Sequence, residues 1–338
     1  MKIGGFDLDK DILIIAEIGN NHEGSYALAE KMIGLAAKMG AGAVKFQTIV
    51  PERLATVLDK ERIRQLRRFQ LSHKEFEGLS KVAKKEGILF LSTPFDIESV
   101  NFLKPLVPAF KIASGDNNFF PLIEAVAHTG KPIIISSGLC DLKQISKAKA
   151  FIERIWRKDR ITQEMAVLHC VTSYPVKADE ANLLAIRTLH KKLGVTVGYS
   201  DHTLGIDAAV LSVALGARII EKHFTIDKNY SDFRDHKISA DPKDFAELVR
   251  RVKETVMMLG DGRKPIQESE EVFLEKVRRS IVARRNLSKG DVINLDNIDW
   301  VRPGGGLPPG SEKSILGKVL KKPVKKGEMI LAGYAGKK

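Results

Sequence analysis

Cysteine is scarce in this sequence: 338 residues hold two, Cys140 and Cys170. Their spacing matches no metal-binding repeat. So few thiols exclude a disulfide scaffold and point to a reduced, cytoplasmic setting. Long apolar runs are missing too. None approaches the ~20 residues needed to cross a bilayer, so no membrane association is expected. The opening stretch, MKIGGFDLDKD, carries acids where a signal peptide needs an apolar segment. Aromatic residues make up 7% of the chain and do not interleave with the basic clusters at 60–68, 81–85 and 143–149. The net charge of +13 and a pI near 9.5 would suit a nucleic-acid partner. Scattered without aromatics, those charges read instead as solvated helix faces with some steering of an anionic substrate. The one glycine run, Gly304-Gly305-Gly306, lacks the strand–GxxxxGK–helix context of a phosphate loop.

What is present is a globular composition, 43% hydrophobic and 29% charged, on a chain long enough for two domains. The stretch from Val195 to Thr225 shows the plan. Two short apolar runs, Val195 to Gly198 and Arg218 to Ile220, flank a helical pattern from Ile206 to Leu215, which makes a strand–helix–strand unit. The same unit repeats along the chain. Strands are expected at 12–16, 43–46, 88–91, 108–112, 132–135 and 165–168, each ending in a polar cluster, with helical patterns between them and a closing helix at 242–259. A longer excursion, 51–71, follows the second strand. Eight such repeats in roughly 250 residues are the mark of an α/β fold of the (β/α)8 TIM-barrel type. The rival is an open doubly wound sheet, and polar clusters at every strand end favour the closed form. The expected divisions are a barrel over 1–260, a polar linker over 261–277 and a small β-rich module over 278–338. Within the module, NLSKGDVINLDNI (286–298) and PVKKGEMILAGYA (323–335) look alike.

The chemistry should gather at the C-terminal strand ends. His202 and His223 lie 21 positions apart (223 − 202), one full repeat, so they end neighbouring strands. Two imidazoles in that register could share one divalent metal in an open, catalytic site. The plainer alternative is two unrelated polar loop residues. Lys45, Lys111, Ser114, Ser136 and Ser200 supply donors suited to a phosphate or carboxylate. For the lysines, salt bridges to Glu17 or Glu221 are the alternative. Glu17, Asp116 and Asp235 are candidate acid, base or metal-orienting carboxylates, with structural anchoring an equal reading. Arg302 stands on a stiff Pro-Gly loop.

Several motifs closely resemble those of the sialic acid synthase family, which includes N-acetylneuraminate, legionaminate and pseudaminate synthases. They are AEIGNNHEG (16–24), KFQ (45–47), STPF (92–95), KIASGDNN (111–118), LHCVTSYP (168–175), GYSDHTLG (198–205), EKHFT (221–225) and DHKIS (235–239). RRSIVARRNLSKGD (278–291) and VRPGGGLPP (301–309) resemble that family's C-terminal antifreeze-like (SAF) domain. The resemblance covers nearly the whole chain, in order. It implies condensation of phosphoenolpyruvate with the open-chain aldehyde of an N-acetylated hexosamine, giving a nine-carbon 2-keto acid and phosphate. It implies His202 and His223 as ligands of a divalent metal, usually manganese, with magnesium or cobalt as alternatives. It implies Lys45, Lys111, Ser114, Ser136 and Ser200 as phosphoenolpyruvate contacts. Asn21, His22, Gln47, Tyr174 and Asp235 are implied near the sugar, and Glu17 and Asp116 near the reacting carbons. Arg302 is implied to reach the partner's site in a swapped homodimer. The rivals are another phosphoenolpyruvate–aldose synthase making a seven- or eight-carbon acid, and a catalytically silent sugar- or ice-binding protein.

Overall fold

Eight parallel strands organise the first of two compact units, Met1–Gly260. The computed structural model describes residues 1–336. The strands are β1 (Leu13–Gly19), β2 (Ala43–Thr48), β3 (Leu89–Pro94), β4 (Phe110–Ile112), β5 (Ile133–Ser136), β6 (Met165–Cys170), β7 (Thr196–Asp201) and β8 (Ile219–His223). They pair in the order β3-β2-β1-β8-β7-β6-β5-β4. The two ends of that order, β3 and β4, lie against each other and close the ring. Helices follow every strand, so the fold is the expected TIM-like barrel rather than the open sheet.

The helices form where apolar residues recur at helical spacing and a cap is available. Helix Tyr26–Lys38 starts at Ser25, whose hydroxyl accepts from the Leu28 N–H, and it buries Leu28, Ala29, Met32, Ile33 and Ala36. Helix His73–Lys85 opens with a reciprocal Ser72–Glu75 capping box. The excursion 51–71 contains the helix whose solvated face was expected at 60–68. Lys60–Phe69 carries five basic residues but buries Ile63, Leu66 and Phe69 at spacings of three.

Most of the strands run past their apolar cores into the polar clusters. Parallel neighbours continue there and still offer backbone partners: Glu17 is in register with both Lys45 and His223, and Glu221 with Ser200. Alternation then sorts the side chains. Glu221 and His223 face the barrel interior and line its cavity, while Lys222 between them faces the helices. Lys222 is fully buried there, 2.9 Å from Asp201 of β7 and 2.6 Å from the Thr203 carbonyl.

The second unit, Asp261–Lys338, is built from short antiparallel pairs. β9 (Ser280–Ala283) pairs with β10 (Ile298–Val301), and β11 (Val319–Leu320) with β12 (Ala335–Gly336). Its core includes Ile281, Leu287, Ile293, Ile298, Ile315 and Ile330. The look-alike segments meet at equivalent positions, since Leu287 and Val324 exchange two backbone hydrogen bonds of 2.9 Å. Each then makes a Lys-Gly turn with glycine at positive φ, 95° at Gly290 and 82° at Gly327, where a Cβ would be strained. Residues 261–277 hold two one-turn helices, Glu268–Glu271 and Leu274–Val277, and the Gly304 N–H donates to the Glu275 carbonyl.

Removing one partner of a buried ion pair costs roughly 3–5 kcal/mol. Lys222→Met should therefore lower the unfolding free energy by about that amount in denaturant titrations, and adding Asp201→Asn should restore part of it. An unchanged midpoint for Lys222→Met would mean that the pair contributes nothing.

Candidate active site

The C-terminal strand ends surround a cavity of about 250 Å³. Glu17 of β1, Lys45 of β2, Lys111 of β4 and Glu221 of β8 line it and are almost completely buried. Lys45 Nζ is 2.7 Å from Glu17 Oε2 and 3.7 Å from Glu221 Oε2. Lys111 Nζ is 3.7 Å from Glu221 Oε1 and donates to Ser136 Oγ at 2.7 Å. Ser200 donates to Glu221 Oε1 at 3.1 Å, and Gln47 donates to Glu17 Oε1 at 3.1 Å. The two readings of the lysines thus coincide. They are salt-bridged to barrel carboxylates, and they also face one cavity with Ser114, Ser136 and Ser200.

Burial opposes the charge on Lys45, but Glu17 and Glu221 outweigh it and hold the ammonium above its usual value. Burial also opposes the charge on Glu221, and Lys111, Lys45 and His223 overcome it, bringing the carboxyl to about 2. Burial wins at Lys111, whose pKa falls despite Glu221. At Glu17, burial outweighs Lys45 and, with the charge of Glu221, raises the carboxyl.

Both expected histidines line the same cavity, their ring centroids 5.4 Å apart. His202 Nδ1 lies 2.9 Å from the Val171 carbonyl, which only accepts, so Nδ1 carries a proton and Nε2 is the nitrogen left to face a cation. His223 Nδ1 is buried with no hydrogen-bond partner. Burial, reinforced by His202 and Lys45, pushes His223 well below the usual imidazole value, which leaves the ring neutral. Burial opposes the charge on His202, but Cys170 and the Val171 carbonyl outweigh it and hold that ring above its usual value, so a divalent cation on the two imidazoles displaces a proton from His202 Nε2. Among the described residues no group of three or more His, Cys, Asp or Glu could close a metal site, so a cation here would keep positions open.

Tyr174 lies against His202, with centroids 4.2 Å apart, and the Arg234 guanidinium lies over the tyrosine ring at 4.5 Å from its centroid. Asp235 lines the same wall. Four residues expected at the site lie outside the cavity lining. Asn21 is turned into the protein and donates to the Phe224 carbonyl and Ser239 Oγ, both at 2.9 Å. His22 is buried beside Phe46, and burial pushes its ring to about 4. Asp116 ends a short 3-10 turn next to the cavity-lining Ser114 and Gly115. Arg302 belongs to the second unit, exposed and without a carboxylate partner among the described residues.

Other lining residues escaped sequence reasoning. Cys170 ends β6, its sulfur 3.8 Å from His202 Nδ1. Arg62, Leu66 and Phe69 all line the cavity. Their i, i+4, i+7 spacing was the available signal that one helix face turns toward it. Phe233 packs on Phe69 at 4.9 Å. A larger groove, about 650 Å³, lies at the opposite barrel end beside Glu164, Thr196 and Arg218. No buried unpartnered side-chain polar atom of the described residues lies in it.

Burial raises the Asp116 carboxyl to about 6, with Lys111 pulling the other way, and Asp116 Oδ2 has no hydrogen-bond partner. Carbon-13 NMR of labelled aspartate should therefore show one carboxyl titrating near pH 6. Lys111→Met should move that midpoint higher, because it removes the charge favouring the carboxylate. A midpoint in the ordinary range in both proteins would place Asp116 in water.

A model of the NeuB family matches residues 32–264, and one of the SAF domain matches residues 278–333. The chain is 38% identical to an N,N'-diacetyllegionaminic acid synthase of Campylobacter jejuni over 335 residues, 95% of this chain and 99% of that one. It is 32% identical to the N-acetylneuraminate-9-phosphate synthase of Homo sapiens over 334 residues, 94% of this chain and 91% of that one. Among solved structures, the N-acetylneuraminic acid synthetase of Leptospira borgpetersenii, in complex with citrate, is 39% identical. It aligns at a TM-score of 0.74 over 81% of this chain and 93% of that one.

Proposed function

This chain belongs to the NeuB family, and we propose that it is a sialic-acid-type synthase, a transferase joining phosphoenolpyruvate to the aldehyde of an N-acetylated hexosamine. The products are a nine-carbon 2-keto sugar acid and inorganic phosphate. The observation that carries this reading is the set of two lysines and two carboxylates buried beside two unfilled imidazoles in one cavity. A neutral-ligand binder has no use for lysines held at that cost.

Lys45 and Lys111, with Ser114, Ser136 and Ser200, bind the phosphate and carboxylate of phosphoenolpyruvate and fix its C3 toward the aldehyde. His202 and His223 would hold a divalent cation, manganese by family resemblance, whose Lewis acidity favours the aldehyde carbon as an electrophile. C3 attacks that carbon, and positive charge develops at C2. The lysines cannot stabilise that charge, so the task falls to Glu17, which lines the cavity, and to Asp116 just outside its lining. A carboxylate of this pair takes the proton of the water that adds to C2. The tetrahedral carbon then expels phosphate by cleavage of its C–O bond, and Lys45 and Lys111 support the departing charge. Gln47, Tyr174 and Asp235 contact the sugar. Arg302 completes the sugar site of the other subunit in a swapped homodimer. A 17-residue segment (261–277) spans at most ~55 Å when extended, enough to carry the small module away from its own barrel.

The test is phosphate release from phosphoenolpyruvate with N-acetylmannosamine, its 6-phosphate and diacetamido-trideoxy hexoses. One of these should yield a nine-carbon product by mass, with bridging 18O leaving in phosphate. Chelation should abolish turnover and manganese restore it, and His202→Ala or His223→Ala should each lower it by about two orders of magnitude or more. A seven- or eight-carbon product would favour the rival synthases. No phosphate release from any aldose would leave a binding protein.

For the swap, His223→Ala and Arg302→Ala are co-expressed. A hybrid dimer then has one site with an intact barrel and an intact partner arginine, so activity should return to about a quarter of wild type with random pairing. No recovery in proven hybrids would mean that Arg302 serves its own barrel.

A further inference from the structure

Glu23 closes the turn after β1 in a left-handed conformation, φ 47°, which is uncommon for a residue with a side chain. Its carboxylate, 12% exposed, gathers three donors from two distant parts of the chain. These are Arg68 Nη2 at 3.0 Å, Ser231 Oγ, and His236 Nε2 at 3.2 Å. A carboxylate only accepts, so the Nε2 proton of His236 points at it. His236 is completely buried, and its Nδ1 lies 2.7 Å from Thr225 Oγ1. Two residues before Glu23, Asn21 binds the Phe224 carbonyl and Ser239 Oγ, and Ser239 in turn donates to the Asp235 carbonyl at 2.6 Å.

These bonds converge on one segment. Residues 224–241 join β8 to helix Pro242–Leu259, and their one helix is the single turn Arg234–Ile238. Phe233, Arg234 and Asp235 on that segment form a wall of the cavity. Its base is held by backbone bonds from Phe224 to Glu17 and from Thr225 to Ala240. Lys228 ties it to Asp244 of the following helix, and its middle reaches the rest of the barrel through Glu23, through Phe233 on Phe69, and through Arg234 on Tyr174. Neither aromatic contact has the directionality of a hydrogen bond to a carboxylate.

We infer that Glu23 is a positioning residue for the hexosamine. By holding Ser231 and His236 it fixes Arg234 and Asp235 where the sugar binds, and the strand-borne Lys45 and Lys111 do not depend on it. The inference rests on the proposed function only in assigning the Asp235 wall to the sugar. It also accounts for Asn21, which braces the same segment from the same turn.

The test compares Glu23→Ala, Glu23→Gln and wild type by steady-state kinetics and by amide hydrogen exchange. In Glu23→Ala, kcat/KM for the hexosamine should fall about ten- to a hundred-fold through KM, with KM for phosphoenolpyruvate within about twofold. Glu23→Gln keeps an acceptor for Ser231 and His236 and loses only the charge toward Arg68, so it should stay within about threefold of wild type. Exchange at residues 229–237 should quicken by about tenfold or more in Glu23→Ala, with β2 and β4 unchanged. Equal rises in both KM values, a Gln variant as impaired as Ala, or unchanged exchange would each overturn the inference. The exchange readout needs no turnover. If no hexosamine releases phosphate, the proposed function fails while faster exchange at 229–237 still reports the grip of Glu23.

Discussion

Two ammonium groups cannot sit inside a barrel without counter-charge, and the mouth of this barrel is arranged around that requirement. Each buried ion costs several kcal/mol of hydration unless a partner replaces it. Lys45 meets Glu17 from the register-paired position on β1, at 2.7 Å. Glu221 stands between Lys45 and Lys111 at 3.7 Å from each. Those longer contacts leave Glu221 Oε2 without a hydrogen bond. Glu17 and Glu221 therefore hold Lys45 charged before any ligand arrives, while at Lys111 burial lowers the pKa against Glu221. Lys45 also donates to Thr93 Oγ1 at 3.1 Å and Lys111 to the Ile112 carbonyl at 3.2 Å, which leaves each about one N–H for an incoming dianion or trianion.

The same two strand ends carry a second polar pair on their other face. Ser200 and Glu221 meet inside the barrel, while Asp201 and Lys222 meet outside it. A one-residue slip between β7 and β8 would break both pairs and put charges against apolar helices. Register here is thus specified from both faces. His202 and His223 sit at this place, so the geometry of the imidazole pair is tied to the Ser200–Glu221 bond inside the cavity and to the Asp201–Lys222 ion pair, which faces away from it.

The barrel and its strand-end residues were legible because short continuous apolar runs stop where polar clusters begin, and those clusters fall at one end of a closed sheet. Lys45, Lys111, Ser136, Ser200, His202 and His223 followed from that rule alone. Direction within a turn is not encoded that way. In AEIGNNHEG, Glu17 faces the cavity from β1, but the chain turns at Gly19, φ 54°, and Asn21 and His22 point into the protein. Helix Lys60–Phe69 was read for its solvated face alone, because its charged residues outnumber the apolar stripe that turns inward. Of the wall at Phe233–Asp235 only Asp235 was read, since no periodicity marks a segment held by side-chain bonds from a distant turn.

The site is divided between two kinds of support. Lys45, Lys111, Ser136 and Ser200 lie on strands, where neighbours on both sides fix the backbone. Tyr174, Arg234 and Asp235 lie on loops or single turns, and helix Lys60–Phe69 adds Arg62 from outside the barrel sheet. Strand positions tolerate little change, because each is shared by two ladders and a packed interior. Loops tolerate substitution and insertion as long as their anchors remain. Under the proposed function, phosphoenolpyruvate falls to the rigid half and the hexosamine to the adaptable half. Glu23 and Asn21 reach from the first to the second, so the variable wall can be rebuilt without disturbing the charges beneath it.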